Sequence, residues 1–114
     1  MEKVVEQTLL YDFYGELLTE HQKAIYEEAV FEDMSYSEIA QEHGISRQGV
    51  FDLIKRCDAI LGGYEEKLRL VDKFLKMKKS VDVMRSIAES IKTEDNEEQV
   101  RELISIADGI LEDE

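Results

Sequence analysis

Apolar residues recur at helical spacing along almost the whole chain, and polar residues fill the positions between them. From residue 3 to 18, Val5, Leu9, Phe13 and Leu17 recur every four positions, with Val4, Leu10 and Tyr14 beside them. That period predicts an amphipathic helix. Thr19 interrupts it, and Thr19-x-x-Gln22 reads as a capping box opening a second helix that holds Ala24, Ile25, Ala29 and Val30 and ends near Asp33. Two helices at about 36–43 and 47–61 follow, and Gly62-Gly63 is expected to stop the latter, since paired glycines break a helix. A long helix is expected from about Tyr64 to Ile91. In it Leu70, Phe74, Met77, Val81, Met84, Ala88 and Ile91 follow a 4-3 alternation, a regular heptad seam. Thr93-Glu94-Asp95-Asn96 is polar and turn-like. Val100, Leu103, Ile104, Ala107, Ile110 and Leu111 define a last amphipathic helix.

The fold class this predicts is all-α. A tri-helical helix-turn-helix core is followed by a long helix and a C-terminal helix. The division expected is residues 1–63 for the helix-turn-helix domain and 64–114 for a helical hairpin or dimerisation extension. A short polar loop between two amphipathic helices favours an antiparallel hairpin, so the seam has a partner within the chain. The same seam fits a homodimer, and both hold if the hairpin keeps an apolar face.

Residues 35–61 form the most informative stretch. Ala40 is small where two helices must cross closely. Gly44, four residues on, allows a turn with φ > 0 that a Cβ would penalise. Ile39, Ile45, Val50 and Leu53 are apolar at spacings that bury both helices against a third. Ser35 and Glu38 form a capping box for the first helix, and Ser46 can N-cap the second. In a DNA-binding motif of this kind the N-terminal part of the second helix meets base edges. Here that part offers Arg47, Gln48, Phe51, Asp52 and Lys55, with Arg56 further round. Arg47 suits guanine, Gln48 adenine and Phe51 a thymine methyl. Asp52 opposes such a role, because it would bring an anion to phosphate or base.

Charge changes the picture. The chain has 27 acidic and 14 basic residues among 114, a net charge of −13. A free-standing nucleic-acid binder usually carries a basic footprint, because phosphate neutralisation supplies much of the affinity. Over residues 46–58 the balance is only +1. The one positive block is 67–85, at net +5, and it follows the motif rather than lying in it. Arg69, Lys73 and Lys76 there could track a phosphate backbone, or the block could pair with Glu94, Glu97, Glu98 and Glu102 of the final helix. The second reading is favoured.

Apolar residues at 43%, no proline and much Glu, Lys, Leu, Ile and Ala favour a helical core. No apolar run reaches 18 residues and no signal-like start is seen, so a soluble, cytoplasmic protein without membrane insertion is expected. Cys57 is the only cysteine and reads as a small buried hydrophobe. His21 and His43 stand in no catalytic pattern. There is no Gly-rich phosphate loop, no metal-ligand spacing and no nucleophile with a base. An enzyme, a cofactor and a metal are therefore not expected.

Two resemblances follow from these residues. LTxxQ at 18–22, SYSEIA at 35–40 and GISRQGV at 44–50 are similar to the C-terminal DNA-binding region of sigma factors, a likeness that implies a winged-helix-like or sigma region 4-like tri-helical core. More specifically, LLYDFYGELLTEHQ at 9–22, SYSEIA at 35–40, ISRQGVFDLIKR at 45–56 and GYEEKLRLVDKF at 63–74 resemble the YlxM family of small bacterial helix-turn-helix proteins. The DFYGxLLT block separates that family from generic sigma-like domains. The resemblance implies an all-α, non-enzymatic, cytoplasmic homodimer. The family's genes lie beside those for the signal recognition particle GTPase and its receptor. The resemblance therefore implies a role in that targeting pathway, with the GTPase, the receptor or the particle RNA as partners. Arg47, Gln48, Asp52, Lys55 and Arg56 match the family pattern, so Asp52 belongs to it. Gly49 replaces a larger residue there. The family has no catalytic residues to carry over. A sequence-specific DNA-binding regulator is the alternative.

Overall fold

The computed structural model describes residues 2–112, and every described element is helical. Helices α1 (Lys3–Tyr14), α2 (Glu20–Val30), α3 (Tyr36–His43), α4 (Arg47–Leu68), α5 (Leu70–Ser90) and α6 (Glu97–Glu112) follow one another, with a 3₁₀ turn at Gly15–Leu17. Two compact units divide between Val71 and Asp72. The last two acidic residues, 113 and 114, lie outside the described residues.

In the first unit α4 is the central element, and α1, α2 and α3 all pack on it. Its core holds Leu10, Tyr14, Leu18, Ile25, Tyr26, Ile39, Ala40, Val50, Ile54, Cys57 and Leu61. Two expected faces shift by one position. In α1 the buried line is Leu10–Tyr14, continued by Leu18, whereas Val5 and Leu17 of the expected stripe are 47% and 55% exposed. In α4 Ile54 is buried and Leu53 only half-buried. Adjacent apolar residues at these positions let packing choose between two stripes 100° apart, which periodicity alone does not separate.

Three tyrosine–carboxylate pairs tie the unit together. Tyr11 donates its hydroxyl hydrogen to Glu27. Tyr26 donates to Asp58 Oδ1 at 2.6 Å, and Gln7 donates to the same carboxylate at 3.0 and 3.2 Å. Tyr14 donates to Glu65 Oε1 at 2.6 Å. Burial first, and then hydrogen bonding to a carboxylate, push all three phenols above their ordinary pKa. Burial also raises the Cys57 thiol to about 11, which suits an unreactive core residue. The close turn after α1 needs Gly15, because a Cβ there would lie 2.9 Å from the Tyr11 ring. That ring is held from behind by stacking on Tyr26, with centroids 5.6 Å apart.

The helix end expected at Gly62-Gly63 is not there, because α4 continues to Leu68. Two glycines weaken a helix by about 1 kcal/mol each relative to alanine. Packing on both sides of them outweighs that: Leu61 is fully buried, Tyr64 stacks on Tyr14 with centroids 6.0 Å apart, and Glu65 accepts from Tyr14. The helix ends instead at Arg69, which takes the left-handed conformation at φ 58°. Helix α5 starts at the next residue. Its first N–H groups are capped from a distance, Leu70 N–H by the Tyr14 hydroxyl oxygen at 3.1 Å and Val71 N–H by Glu65 Oε1 at 2.9 Å.

In the second unit α5 and α6 form a hairpin. Its turn is organised by Asn96, whose side chain accepts from Thr93 N–H at 2.6 Å and donates to Ile91 O at 2.9 Å. The heptad seam splits. Val81 and Ala88 are buried, Phe74 and Met77 half-buried, and Leu70, Met84 and Ile91 are 41%, 42% and 54% exposed. The charge tie across the hairpin also differs from expectation. Arg85 Nη1 bonds both carboxylate oxygens of Asp108 at 2.7 and 2.6 Å, while Glu97 pairs with Arg101 of its own helix and Lys76 with Asp72.

Two outcomes are expected. A Cβ at Gly62 or Gly63 meets nothing within 4 Å, so Gly62→Ala and Gly63→Ala should each raise stability by about 0.5–1 kcal/mol in urea titration. A loss would mean the helix is not continuous there. Second, the folded chain holds the protons of Tyr11, Tyr14 and Tyr26 above pH 10, whereas the unfolded chain releases them near pH 10. Their contribution is thus complete below pH 10 and lost as pH rises beyond it. Urea midpoints should fall between about pH 9.5 and 11, less steeply in Tyr26→Phe, and an unchanged slope in that variant would contradict the pairing.

Candidate macromolecular interface on the recognition helix

The turn between α3 and α4 forms as the residues dictate. Ser35 and Glu38 cap α3 reciprocally, at 3.1 Å to Glu38 N–H and 3.0 Å from Ser35 N–H. The bond from Ser35 N–H, with the Ser35 side chain adding to it, holds the Glu38 carboxyl below its ordinary pKa. Gly44 ends α3 at φ 68°, and the N–H groups of Gly44 and Ile45 both return to Ala40 O. Ala40 is buried. Ser46 Oγ then accepts from Gly49 N–H at 2.9 Å and starts α4. A Cβ at Gly49 would stand 3.1 Å from that hydroxyl oxygen, so glycine leaves the cap undisturbed.

This places Arg47, Gln48, Phe51, Asp52, Lys55 and Arg56 all on the solvent side of α4. They do not form one cationic cluster. Gln48 Nε2 donates to Asp52 Oδ1 at 3.0 Å, so both amide and carboxylate are engaged within the helix. Phe51 is 46% exposed, with the Tyr36 ring 6.4 Å away and Lys55 Nζ 5.9 Å from its centroid. Arg56 lines a shallow groove with Thr19, His21, Gln22, Asp52 and Leu53. Asp58, an acid within the same stretch of sequence, is withdrawn to Tyr26 and Gln7 and is not part of the face. The face is therefore an aromatic centre with Arg47 and Lys55 close in sequence and Asp52 among them.

His43 meets Glu28, a pairing that no local pattern in the sequence reveals. Its Nε2 lies 2.8 Å from Glu28 Oε1, with both side chains mostly covered. The contact joins α2 to the end of α3. Glu42 approaches the same pair, and these three are the described residues whose ligand atoms lie within 4.8 Å of one another. An i, i+3 or i, i+4 signal could not have found the His43–Glu28 pair, since its members stand on different helices.

The family described as YlxM / p13-like helix-turn-helix proteins, UPF0122, matches residues 1–104. The chain belongs to this family. Family relatives include a UPF0122 protein of Bacillus pumilus, 42% identical over 104 residues, covering 90% of this chain and 94% of the relative. The UPF0122 protein YlxM of Bacillus subtilis is 41% identical over 95 residues, covering 83% and 86%. A UPF0122 protein of Acetivibrio thermocellus is 49% identical over 88 residues, covering 76% and 75%. In this family member the DFYGxLLT block at 12–19 has a structural task. Tyr14 reaches Glu65, Gly15 lies under Tyr11, Leu18 is buried, and Thr19 caps α2 through its box with Gln22. Among the described residues no helix is long and apolar enough to cross a membrane.

Proposed function

We propose that this chain is a non-enzymatic, cytoplasmic accessory protein of the bacterial signal recognition particle pathway, acting through protein contacts made by the exposed face of α4. Family membership supports the pathway, through the gene neighbourhood that the YlxM resemblance implies. The observation that carries the mode of action is Phe51. A half-exposed aromatic ring beside Tyr36 and Lys55, in a chain of net charge −13, has the make-up of a protein-binding anchor. Asp52 on the same face would repel phosphate. The targeting GTPase and its receptor are the partners this reading names.

The second reading is a DNA-binding regulator, and one observation favours it. Ser46 starts α4 so that Arg47 and Gln48 occupy its first turn, where a helix-turn-helix protein meets base edges.

A single titration separates the two. The purified protein is mixed with duplex DNA, with particle RNA, and with the GTPase–receptor pair, at about 50 and 200 mM salt, a range over which several phosphate contacts would weaken binding steeply. The proposed reading expects binding to the GTPase pair that Phe51→Ala weakens about tenfold or more, the size of a hot-spot loss, and that varies little with salt. Salt-steep DNA or RNA binding, lost by about 1–3 kcal/mol in Arg47→Ala, would replace it with nucleic-acid reading.

A further inference from the structure

We propose that Glu28, Glu42 and His43 form a binding site for one divalent transition-metal ion of the zinc class, with water completing its coordination. The site pins α2 to the last turn of α3, and the inference stands apart from the role of α4.

The three donors come from two helices, so no ligand spacing in the sequence announces them. Glu28 stands in the last turn of α2, and Glu42 and His43 end α3. Their ligand atoms all lie within 4.8 Å of one another. Zinc bonds of about 2.0–2.2 Å put neighbouring ligands of a tetrahedral site about 3.3 Å apart. His43 Nε2 and Glu28 Oε1 are 2.8 Å apart, so a side-chain movement of about half an ångström opens the pair to the ion. Both side chains are mostly covered, at 20% and 15% exposure, and are held in place before any ion arrives. Little further ordering is then needed on binding. Glu42 is exposed and can rotate onto the ion.

Charge and donor type select the ligand. Two carboxylates converge on one imidazole, and among the described residues neither is paired with a lysine or arginine. A protonated His43 would offset one of the two negative charges, whereas a dication offsets both. An imidazole with two carboxylates suits zinc, while magnesium and calcium prefer oxygen donors alone and more of them. The softer donor of the chain, Cys57, is fully buried and does not compete. His21 lies outside the set: its ring centroid is 6.0 Å from that of His43, and it lines the groove beside Arg56. Water therefore takes the fourth position.

The test titrates zinc chloride into the full chain by calorimetry, after removal of adventitious metal with a chelator. One-to-one binding with a micromolar or tighter Kd is expected, and magnesium chloride should give none. Glu28→Gln and His43→Gln should each weaken zinc binding about tenfold or more, and Glu42→Gln about threefold or more. Glu42 is exposed, so that variant should keep the parent's far-UV circular dichroism. Glu102→Gln, in the second unit, should bind as the parent does. Saturating zinc should raise the parent's Tm by about 5 °C or more and leave that of His43→Gln unmoved. The proposal fails if zinc does not bind, if magnesium binds equally well, or if Glu42→Gln and His43→Gln both bind as tightly as the parent. It also fails if His21→Gln costs as much as His43→Gln while Glu42→Gln costs nothing, for the ion would then sit between the two histidines.

Discussion

The hydrogen bond from Tyr14 to Glu65 is the contact on which the first unit depends. It joins α1 to α4 across 51 positions of sequence. Both partners go on to accept the first N–H groups of α5. One pair therefore fixes how far α4 runs, where α5 begins and how α1 is held. It also explains why a helix with two interior glycines stays whole. A buried phenol and a half-buried carboxylate that satisfy each other and two backbone donors form a connected polar network, and removing one member would leave the others unsatisfied. The Tyr11–Glu27 and Tyr26–Asp58 pairs repeat the device between α1 and α2 and between α2 and α4.

Local chemistry in the sequence made much of this legible. The capping boxes at Thr19 and Ser35, the Ser46 cap and the left-handed Gly44 turn are all present where short-range pattern placed them. What was not legible depends on distant partners. Gly62-Gly63 carries a genuine local stop signal, overridden by contacts to Tyr14 that lie 50 residues away. Val5 and Leu17 have the period of a buried stripe, but Leu10 and Tyr14 occupy the core. Nothing local in the sequence marks Asp58 as the partner of Tyr26 and Gln7, which stand 32 and 51 positions away. The candidate reading face of α4 was legible residue by residue, yet its character was not, because the Gln48–Asp52 bond and the Tyr36–Phe51 contact decide which groups remain available.

The two units offer different surfaces. The face of α4 is small, aromatic at its centre and mixed in charge. The trough of the α5–α6 hairpin is apolar, and Arg85 is the one charged residue among those that line it. Neither resembles the continuous cationic surface on which phosphate recognition rests. The proposed reading takes this acidic helix-turn-helix protein of the YlxM / p13-like family as a tri-helical scaffold for protein contacts. The heptad seam serves both purposes: Val81 and Ala88 close the hairpin, and Met84 and Ile91 line what the hairpin leaves open.

The most direct measurement of this account is amide hydrogen exchange at Leu70 and Val71 in the parent chain, Tyr14→Phe and Glu65→Ala. If Tyr14 and Glu65 cap α5 as the geometry shows, Tyr14→Phe should speed exchange at Leu70 about tenfold, the size of one lost net hydrogen bond. Glu65→Ala should do the same at Val71, with protection in α3 retained. Unchanged protection at both amides in both variants would contradict it and leave the length of α4 without its cause.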